Sequence, residues 1–317
     1  MHRFFGILIL IFLLHGCSSS ESIINNADKQ NTVAEVHNES KGVFYKIENN
    51  QNTIYLFGSI HTANRDLHPL KPEVEAAFTE SDYVAVELDY KNIDLTKWNE
   101  LNKEFGLLKS GTIDHYLSPK TREHFNEFLS TYQIRENDIN QLQPWNLNHY
   151  IQATVAAEEG FSPDFGIEEY FLSRAPVEEK SILQLESYED FFYVWGQLPI
   201  ETQLLELEDT LKQPEKAIVE LEQLMDAWIA GDISQLATFR QASELDGADP
   251  HDLKEFYIRF FEERDLKMAN KIEELLNSKD NKVIFATVGV LHLVGEDSIV
   301  EVLRSRGYKV QNIFDTL

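Results

Sequence analysis

Two Gly-x-x-His segments, one near each end of the chain, constrain the fold more than any other feature of the sequence. Residues 58–61 (Gly-Ser-Ile-His) follow the apolar residues 54–57, and residues 289–292 (Gly-Val-Leu-His) follow the apolar residues 283–288. Each histidine is therefore expected just beyond the carboxyl end of a strand, where a glycine lets the backbone turn sharply or approach a ligand. The two histidines meet only if the first and last parts of the chain build one sheet.

The other strand and helix signals predict an α/β fold around these two strands. Strands are predicted at residues 43–47, 53–57, 83–88, 181–185, 283–288 and 309–314, and helices at 72–79, within 204–225, and at 249–276 and 295–306. A strand, a helix and a strand in succession suggest a right-handed βαβ unit, which would bring Glu87 to the same edge of the sheet as the first histidine. We expect one α/β domain over residues 42–317. Its central mixed sheet is built from the N- and C-terminal parts of the chain, and a helical insertion over about 95–277 forms a cap.

Residues 1–17 predict the signal peptide of a bacterial lipoprotein. A basic start is followed by the apolar run 4–14, which suits a signal-peptide core and is too short for a membrane-spanning helix. Residues 14–17 (Leu-His-Gly-Cys) resemble a lipobox, the motif whose cysteine becomes lipidated, although His15 stands where a small residue is usual. Cys17 is the only cysteine of the chain, which excludes intrachain disulfides and thiolate metal sites. Lipidation is the expected use of Cys17, and a cleaved, unlipidated signal is the alternative.

The composition of the sequence indicates a flexible tether before the folded part and excludes some classes of binding partner. Residues 18–41 are polar and rich in serine and asparagine, which is typical of a flexible tether. The net charge of -26, from 54 acidic and 28 basic residues, argues against nucleic acid as a partner and against docking on anionic lipid through a basic surface. We therefore expect a lipid-anchored, extracytoplasmic protein of the cell envelope whose membrane contact is the N-terminal lipid alone. No sequence feature predicts its oligomeric state.

Histidines and carboxylates at the predicted strand ends indicate a divalent-metal site. Neutral imidazole and carboxylate groups are good ligands for Zn, Mn or Co, and His61, His292 and Glu87 are the three residues expected closest together. Glu87 ends an otherwise apolar strand, where an unpaired charge would be costly, so a cationic group should lie beside it. Glu186 follows a short apolar strand in the same way and is a second carboxylate candidate. In the alternative interpretation, Glu87 simply reaches solvent beyond its strand and each histidine is structural.

Seven segments in order along residues 42–314 resemble the TraB/GumN family, which includes the Tiki metalloproteases and is more remotely similar to the erythromycin-esterase and ChaN-like group. The segments are LFGSIH at 56–61, VELD at 86–89, QPW at 143–145, FGIEEYF at 165–171, LE at 185–186, ERDLKMA at 263–269 and VGVLHLVG at 288–295. No single segment is specific for the family, whereas their order is.

The resemblance implies an active site made of His61, His292 and Glu87. It also implies a divalent metal (Mn, Co or Zn) and, as in the best-described branch of the family, hydrolysis of peptide bonds. Glu168 and Arg264 fall on family motif positions as well. Glu168 would orient a ligand, and Arg264 would clamp a buried carboxylate or face developing negative charge.

The chain departs from the family pattern at two of these positions. Glu168 stands where the family usually has aspartate, and Asp265 where it usually has asparagine. The longer side chain of Glu168 displaces its carboxylate by about an ångström, which changes its reach toward a metal or toward Arg264. The sequence therefore leaves open whether the site is active.

The working hypothesis is a metal-dependent hydrolase, in particular a peptidase, with a peptide or protein as its substrate. His61 and His292 would ligate the metal, and Glu87 would complete the ligand set or act as general base. Relatives in the wider group are associated with capturing peptide pheromones or haem, so a capture protein without turnover is the first alternative. A metal-free esterase with histidine as its base is the second, because the chain lacks His-Glu-x-x-His. A serine hydrolase is disfavoured because Gly-x-Ser-x-Gly is also absent from the sequence.

Overall fold

A computed structural model describes residues 39–49, 51–241 and 244–316 of the chain. The predicted signal peptide with Cys17 lies outside the described residues, as does the predicted tether up to residue 38. At the end of that tether, the backbone amide of Ser40 donates to the carbonyl of Pro69 at 2.9 Å, so the folded part begins by residue 40. Within the described ranges, no helix is both long enough and apolar enough to cross a membrane.

The core of the fold is one mixed sheet of six described strands. They are β1 (Phe44–Asn49), β2 (Asn52–Ser59), β3 (Tyr83–Val86), β4 (Ser181–Gln184), β5 (Val283–Gly289) and β6 (Val310–Asn312). Their order in the sheet is β4-β3-β5-β2-β1-β6. β5 is parallel to β2 and to β3, β4 is parallel to β3, and β1 is antiparallel to β2 and to β6. Strands from both ends of the chain lie side by side at the centre, which confirms the predicted α/β sheet.

This sheet brings both Gly-x-x-His segments and Glu87 to one edge. In the parallel register of β2 and β5, Ser59 pairs with Gly289, and β3 runs parallel to β5 on its other side. The three strands therefore end at one level, shortly before His61, His292 or Glu87. Because β5 lies between β2 and β3, a strand from the far end of the chain separates the two strands of the predicted βαβ unit.

Helices make up most of the middle of the chain. The described α-helices are α1 (Pro72–Glu80), α2 (Leu95–Leu101), α3 (Pro119–Thr131), α4 (Pro144–Glu158), α5 (Ile167–Arg174), α6 (Tyr188–Gly196), α7 (Ile200–Lys212), α8 (Lys216–Ala230), α9 (Ile233–Phe239), α10 (Pro250–Tyr257), α11 (Arg264–Asn277) and α12 (Ile299–Ser305). Four of them begin with a proline, whose fixed φ suits the first helical position. Pro214 separates α7 from α8, so the helical signal over 204–225 belongs to two helices. A helical insertion between the N- and C-terminal strands, interrupted by β4, is consistent with the predicted fold.

The helical run over residues 250–277 contains a π-helical turn beside the strand ends. The turn, Ile258–Glu263, joins α10 to α11. A π-turn inserts an extra residue and shifts the residues around it on the helix surface, and such turns are frequent at functional sites. This one contains Phe260 and Phe261 and is followed directly by Arg264.

Candidate functional site

The three residues predicted to lie closest together converge on Gly289, the last residue of β5. A methyl group on Gly289 would lie 3.1 Å from Glu87 Oε1, 3.2 Å from His61 Nε2 and 3.4 Å from His292 Cδ2. These contacts would be tighter than most, so the missing side chain of glycine leaves useful room between these groups. His61, His292 and Glu87 thus lie together at one point of the fold, beyond the ends of their strands.

His61 is held by Glu168, which lies in the first turn of α5. Glu168 Oε2 accepts a hydrogen bond from His61 Nδ1, while His61 Nε2 is buried and has no hydrogen-bond partner among the described residues. That nitrogen lies 3.8 Å from Glu87 Oε1. A side chain on Gly166 would collide with the His61 carbonyl, so this second glycine lets α5 begin close to the histidine. A carboxylate on Nδ1 fixes the tautomer in which Nε2 offers its lone pair to a ligand.

His292 is held in the same way by a different carboxylate. Its Nδ1 donates to Asp265 Oδ1 at 2.5 Å, and its buried Nε2 also lacks a hydrogen-bond partner among the described residues. The ring centroids of Phe260 and Phe261 lie 6.3 and 5.8 Å from that of His292. Arg240 lies 2.5 Å from the other oxygen of Asp265. Both histidines of the Gly-x-x-His pair thus carry a carboxylate on Nδ1 and a free Nε2.

Glu87 has the cationic neighbour that its position predicted. Arg264 Nη2 donates to Glu87 Oε2 at 2.7 Å, and the backbone amide of Gly289 donates to Glu87 Oε1 at 2.5 Å. The same guanidinium binds both oxygens of Glu186, at 2.6 Å from Nε and 2.7 Å from Nη2, and its Nη1 donates to the carbonyl of Phe260 at 3.3 Å. All these side chains are buried. Arg264 is a clamp between two carboxylates, and it holds Glu87 against Gly289.

These charges shift the pKa values of the site. Burial lowers the pKa of His61, but the carboxylates of Glu168 and Glu87 outweigh it and raise that pKa to about 9. Burial raises the pKa of Glu168. Burial also opposes ionisation of Glu87, but His292, Arg264 and His61 outweigh it and lower the pKa of Glu87 to about 2. Since a cation on Nε2 competes with the proton of His61, metal binding is expected to release protons and to weaken at low pH.

Two pockets border these groups. The first is lined by both histidines and by apolar side chains that include Ile60, Leu221 and Leu224. The second is lined by His61, Glu87, Leu88, Tyr90, Glu168, Glu186, Phe191 and Arg264. A molecule bound at His61 would meet apolar groups through one pocket and acidic groups through the other.

The donor atoms fit a divalent cation. Ligand atoms of His61, Glu87 and Glu168 lie within 4.8 Å of one another and are, among the described residues, the one group of this kind. His292 is outside that group, although the carbon next to its Nε2 faces the same Gly289 position. Two orphaned imidazole nitrogens and buried carboxylate oxygens, with no thiolate, suit Zn, Mn or Co.

Comparison with known proteins places the chain in a family. Residues 43–312 match the sequence model of the TraB/PrgY/gumN family. The chain belongs to this family. It is 24% identical to the uncharacterized protein YbaP of Escherichia coli K12 over 255 residues, which cover 79% of this chain and 87% of YbaP. The match to YbaP of Shigella flexneri has the same identity and coverage, and no solved structure matches the chain significantly.

The sequence did not indicate the contacts that two residues make in this candidate site. Asp265 stands out in the sequence only as a departure from the family pattern, whereas in the fold it holds the Nδ1 of His292. Arg240 carries no sequence signal at all, because it follows α9 in a segment without a motif. Both contacts join residues that are distant in sequence from His292, so only the folded chain reveals them.

Proposed function

We propose that this protein is a metal-dependent hydrolase that cleaves peptide bonds. The observation that carries the proposal is the matched pair of histidines. Each has a carboxylate on Nδ1 and a buried, unpartnered Nε2, and both face the space at Gly289 beside Glu87. Structural histidines in a core normally have both nitrogens satisfied, and two unsatisfied ones at one point favour a ligand between them.

The residues divide into ligands and groups that orient them. His61, His292 and Glu87 would hold the metal, and Glu168 and Asp265 would fix the two imidazole rings. A divalent cation there would polarise a carbonyl group and make water a better nucleophile at neutral pH. Arg264 keeps Glu87 ionised and in place, since its guanidinium is bonded to both Glu87 and Glu186.

The acid–base role falls best on Glu168 among the carboxylates of the site. Both oxygens of Glu87 already accept hydrogen bonds, from Arg264 and from Gly289. Glu168 uses Oε2 for His61, and its buried Oε1 has no hydrogen-bond partner among the described residues. Glu168 Oε1 can therefore take a proton from water and return it to the leaving amine.

A metal-content measurement on the full-length chain in detergent tests the proposal. The wild type, His61→Ala and His292→Ala are loaded separately with Mn, Co and Zn, and bound metal is counted by elemental mass spectrometry. We expect about one metal per wild-type chain and a loss of metal in both variants. The exposed His251 of α10 gives the control variant His251→Ala, which should keep its metal.

Turnover separates the proposed enzyme from the alternatives. Cleavage of a peptide library should stop with a chelator and return when metal is restored. Saturable binding of peptide or haem without product would instead support a capture protein. Cleavage that is insensitive to chelation would support a metal-free hydrolase.

We also propose that a lipid on Cys17 tethers the protein outside the bacterial cytoplasmic membrane. The support is the signal-peptide pattern and the single cysteine of the sequence. Cys17→Ser should move the protein from the membrane fraction of expressing cells to the soluble fraction or leave it unprocessed. Unchanged fractionation of a processed Cys17→Ser chain would contradict the anchor.

A further inference from the structure

A second buried arginine, Arg240, lies behind His292 and has no role in the function proposed above. It follows α9, is 4% exposed, and packs over the ring of Phe261 at 4.6 Å. Its Nη1 lies 2.5 Å from Asp265 Oδ2 and donates to the carbonyl of Leu291 at 2.7 Å. Arg240 is therefore connected to His292 in two ways. It contacts Asp265, which accepts the Nδ1 hydrogen of His292, and it binds the carbonyl of Leu291, the residue before His292.

Charge explains why an arginine is needed at this position. Asp265 is 0% exposed, and a buried carboxylate without a compensating cation is strongly unfavourable. The neighbouring Arg264 donates its hydrogen bonds elsewhere, to Glu87, Glu186 and a backbone carbonyl. Arg240 is thus the cation in contact with Asp265.

The hydrogen bonds of Arg240 point to the same conclusion. Its Nε and Nη2 are buried without a hydrogen-bond partner among the described residues. Its contact with Asp265 is an ion pair rather than an aligned hydrogen bond, since Asp265 Oδ2 also lacks a hydrogen-bond partner among the described residues. A buried guanidinium with so few hydrogen bonds is stabilised chiefly by the opposite charge beside it.

We propose that Arg240 is a positioning residue for His292. By compensating Asp265, it lets that carboxylate accept the Nδ1 hydrogen of His292 and so leaves the Nε2 lone pair directed at the site. The proposal rests on the proposed function only in treating His292 as a metal ligand. The coupling of Arg240, Asp265 and the His292 ring is independent of any metal.

A double-mutant cycle on the full-length chain tests this coupling. Arg240→Met keeps the aliphatic stem over Phe261 but leaves Asp265 uncompensated, and Asp265→Asn keeps the acceptor oxygen but removes its charge. We expect Arg240→Met alone to lower the folding equilibrium constant by about 100-fold or more. In the Asp265→Asn background this cost should be absent, and the same substitution should leave the equilibrium constant unchanged or raise it, because the guanidinium is then the uncompensated charge. Arg122→Met, which breaks an ion pair with Glu136, is the control and should give similar effects in both backgrounds.

Two further measurements report the state of His292 itself. The ¹⁵N spectrum of histidine-labelled chain, with the His292 signal assigned from His292→Ala, should show the Nδ1–H tautomer in the wild type. That signature should be lost in Arg240→Met and restored in the double variant. Affinity for Zn should fall about 10- to 100-fold in Arg240→Met and return to the Asp265→Asn value in the double variant.

A result without coupling overturns the proposal. If removing Arg240 costs as much in the Asp265→Asn background as beside the native Asp265, then Arg240 acts through the Leu291 carbonyl alone. Should Arg240→Met fail to fold, the comparison of Asp265→Asn with the double variant still decides the matter. If no variant binds metal, the proposed function fails, whereas the stability cycle and the ¹⁵N tautomer still decide the role of Arg240.

Discussion

The backbone conformation of Gly289 suits an alanine, but the space around this residue is tight for a methyl group. Its φ of -48° is open to any residue, yet a methyl group would approach His61 Nε2 and Glu87 Oε1 to 3.2 and 3.1 Å. Neither neighbour can move freely, because Glu168 holds the first and Arg264 the second. Gly289→Ala should therefore lower Zn affinity about 10-fold or more, as measured by competition titration. Unchanged affinity would place the metal away from Gly289, and a denaturant melt controls for general overpacking.

The hydrogen-bond geometry of the Arg264 guanidinium leads to a second prediction at the residue scale. Its three nitrogens bond Glu87, Glu186 and a backbone carbonyl, which a lysine ammonium cannot reproduce. Arg264→Lys should lower the free energy of unfolding by about 1–3 kcal/mol, as measured by urea denaturation. Arg304→Lys, at an exposed ion pair with Glu301, is the matched control and should stay within about 1 kcal/mol of the wild type. Equal effects of the two substitutions would show that Arg264 is not a geometric clamp.

Part of this site could be predicted from the sequence, because parallel strands run in the same direction. Parallel strands place their carboxyl ends at one edge, and that rule brings His61, His292 and Glu87 together before the fold is known. The Asp265–His292 and Arg240–Asp265 contacts follow no such rule. They depend on how α9 and α11 pack beside the strand ends, which no periodicity in the sequence records.

At the scale of elements, a buried acid on α7 makes stability depend on pH. Glu206 is 3% exposed, and burial raises its pKa from an ordinary 4.5 to about 8. Below pH 4.5 both the folded and the unfolded state hold the proton. As the pH rises toward 8 the unfolded state loses it first, so the free energy of unfolding falls by about 1.4 kcal/mol per pH unit from this group.

Glu206→Gln should remove this loss. The variant should gain stability relative to the wild type on going from about pH 5 to about pH 8, by up to a few kcal/mol, in urea denaturation at the two pH values. Glu201→Gln, at an exposed position of the same helix, should show no such difference. A constant offset between Glu206→Gln and the wild type at both pH values would show that Glu206 is not held protonated.

The sequence predicts where helices occur, but it does not predict the irregular turns within them. The apolar spacing over 249–276 indicates one helix, and one continuous helical run is present over 250–277. The π-turn Ile258–Glu263 within it escapes prediction, because it changes the hydrogen bonding of the backbone without changing the apolar pattern. The break between α7 and α8 does have a signal in Pro214, whereas the leucine spacing on both sides suggests continuity.

At the scale of the whole molecule, local sequence patterns do not predict the order of the strands in the sheet. Local patterns indicate strands at both ends of the chain and a helical middle, which the structure confirms. They do not indicate that β5 enters between β2 and β3, because parallel pairs joined by long connections have no turn that fixes their partners. Placing β5 there joins strands from before and after the helical insertion in one sheet.

Trp228 of α8 supplies a hydrogen bond that joins the cap to the sheet. It is fully buried, its Nε1 donates to the carbonyl of Gly58 at 2.8 Å, and its ring lies 5.7 Å from that of Phe57. Gly58 opens the first Gly-x-x-His segment, so the cap contacts the strand that leads to His61. We therefore expect the cap and the sheet to unfold as one cooperative unit.

Trp228→Phe tests this expectation because the remaining tryptophans, Trp98, Trp145 and Trp195, all lie in the cap. The variant leaves the Gly58 carbonyl buried without its donor, so its free energy of unfolding should fall by about 1–3 kcal/mol. Cap fluorescence during denaturation and hydrogen exchange of the β5 amides should report the same lowered value. If the cap fluorescence changed while β5 kept its protection, the cap and the sheet would be separate cooperative units, and Trp228 would be a local contact between them.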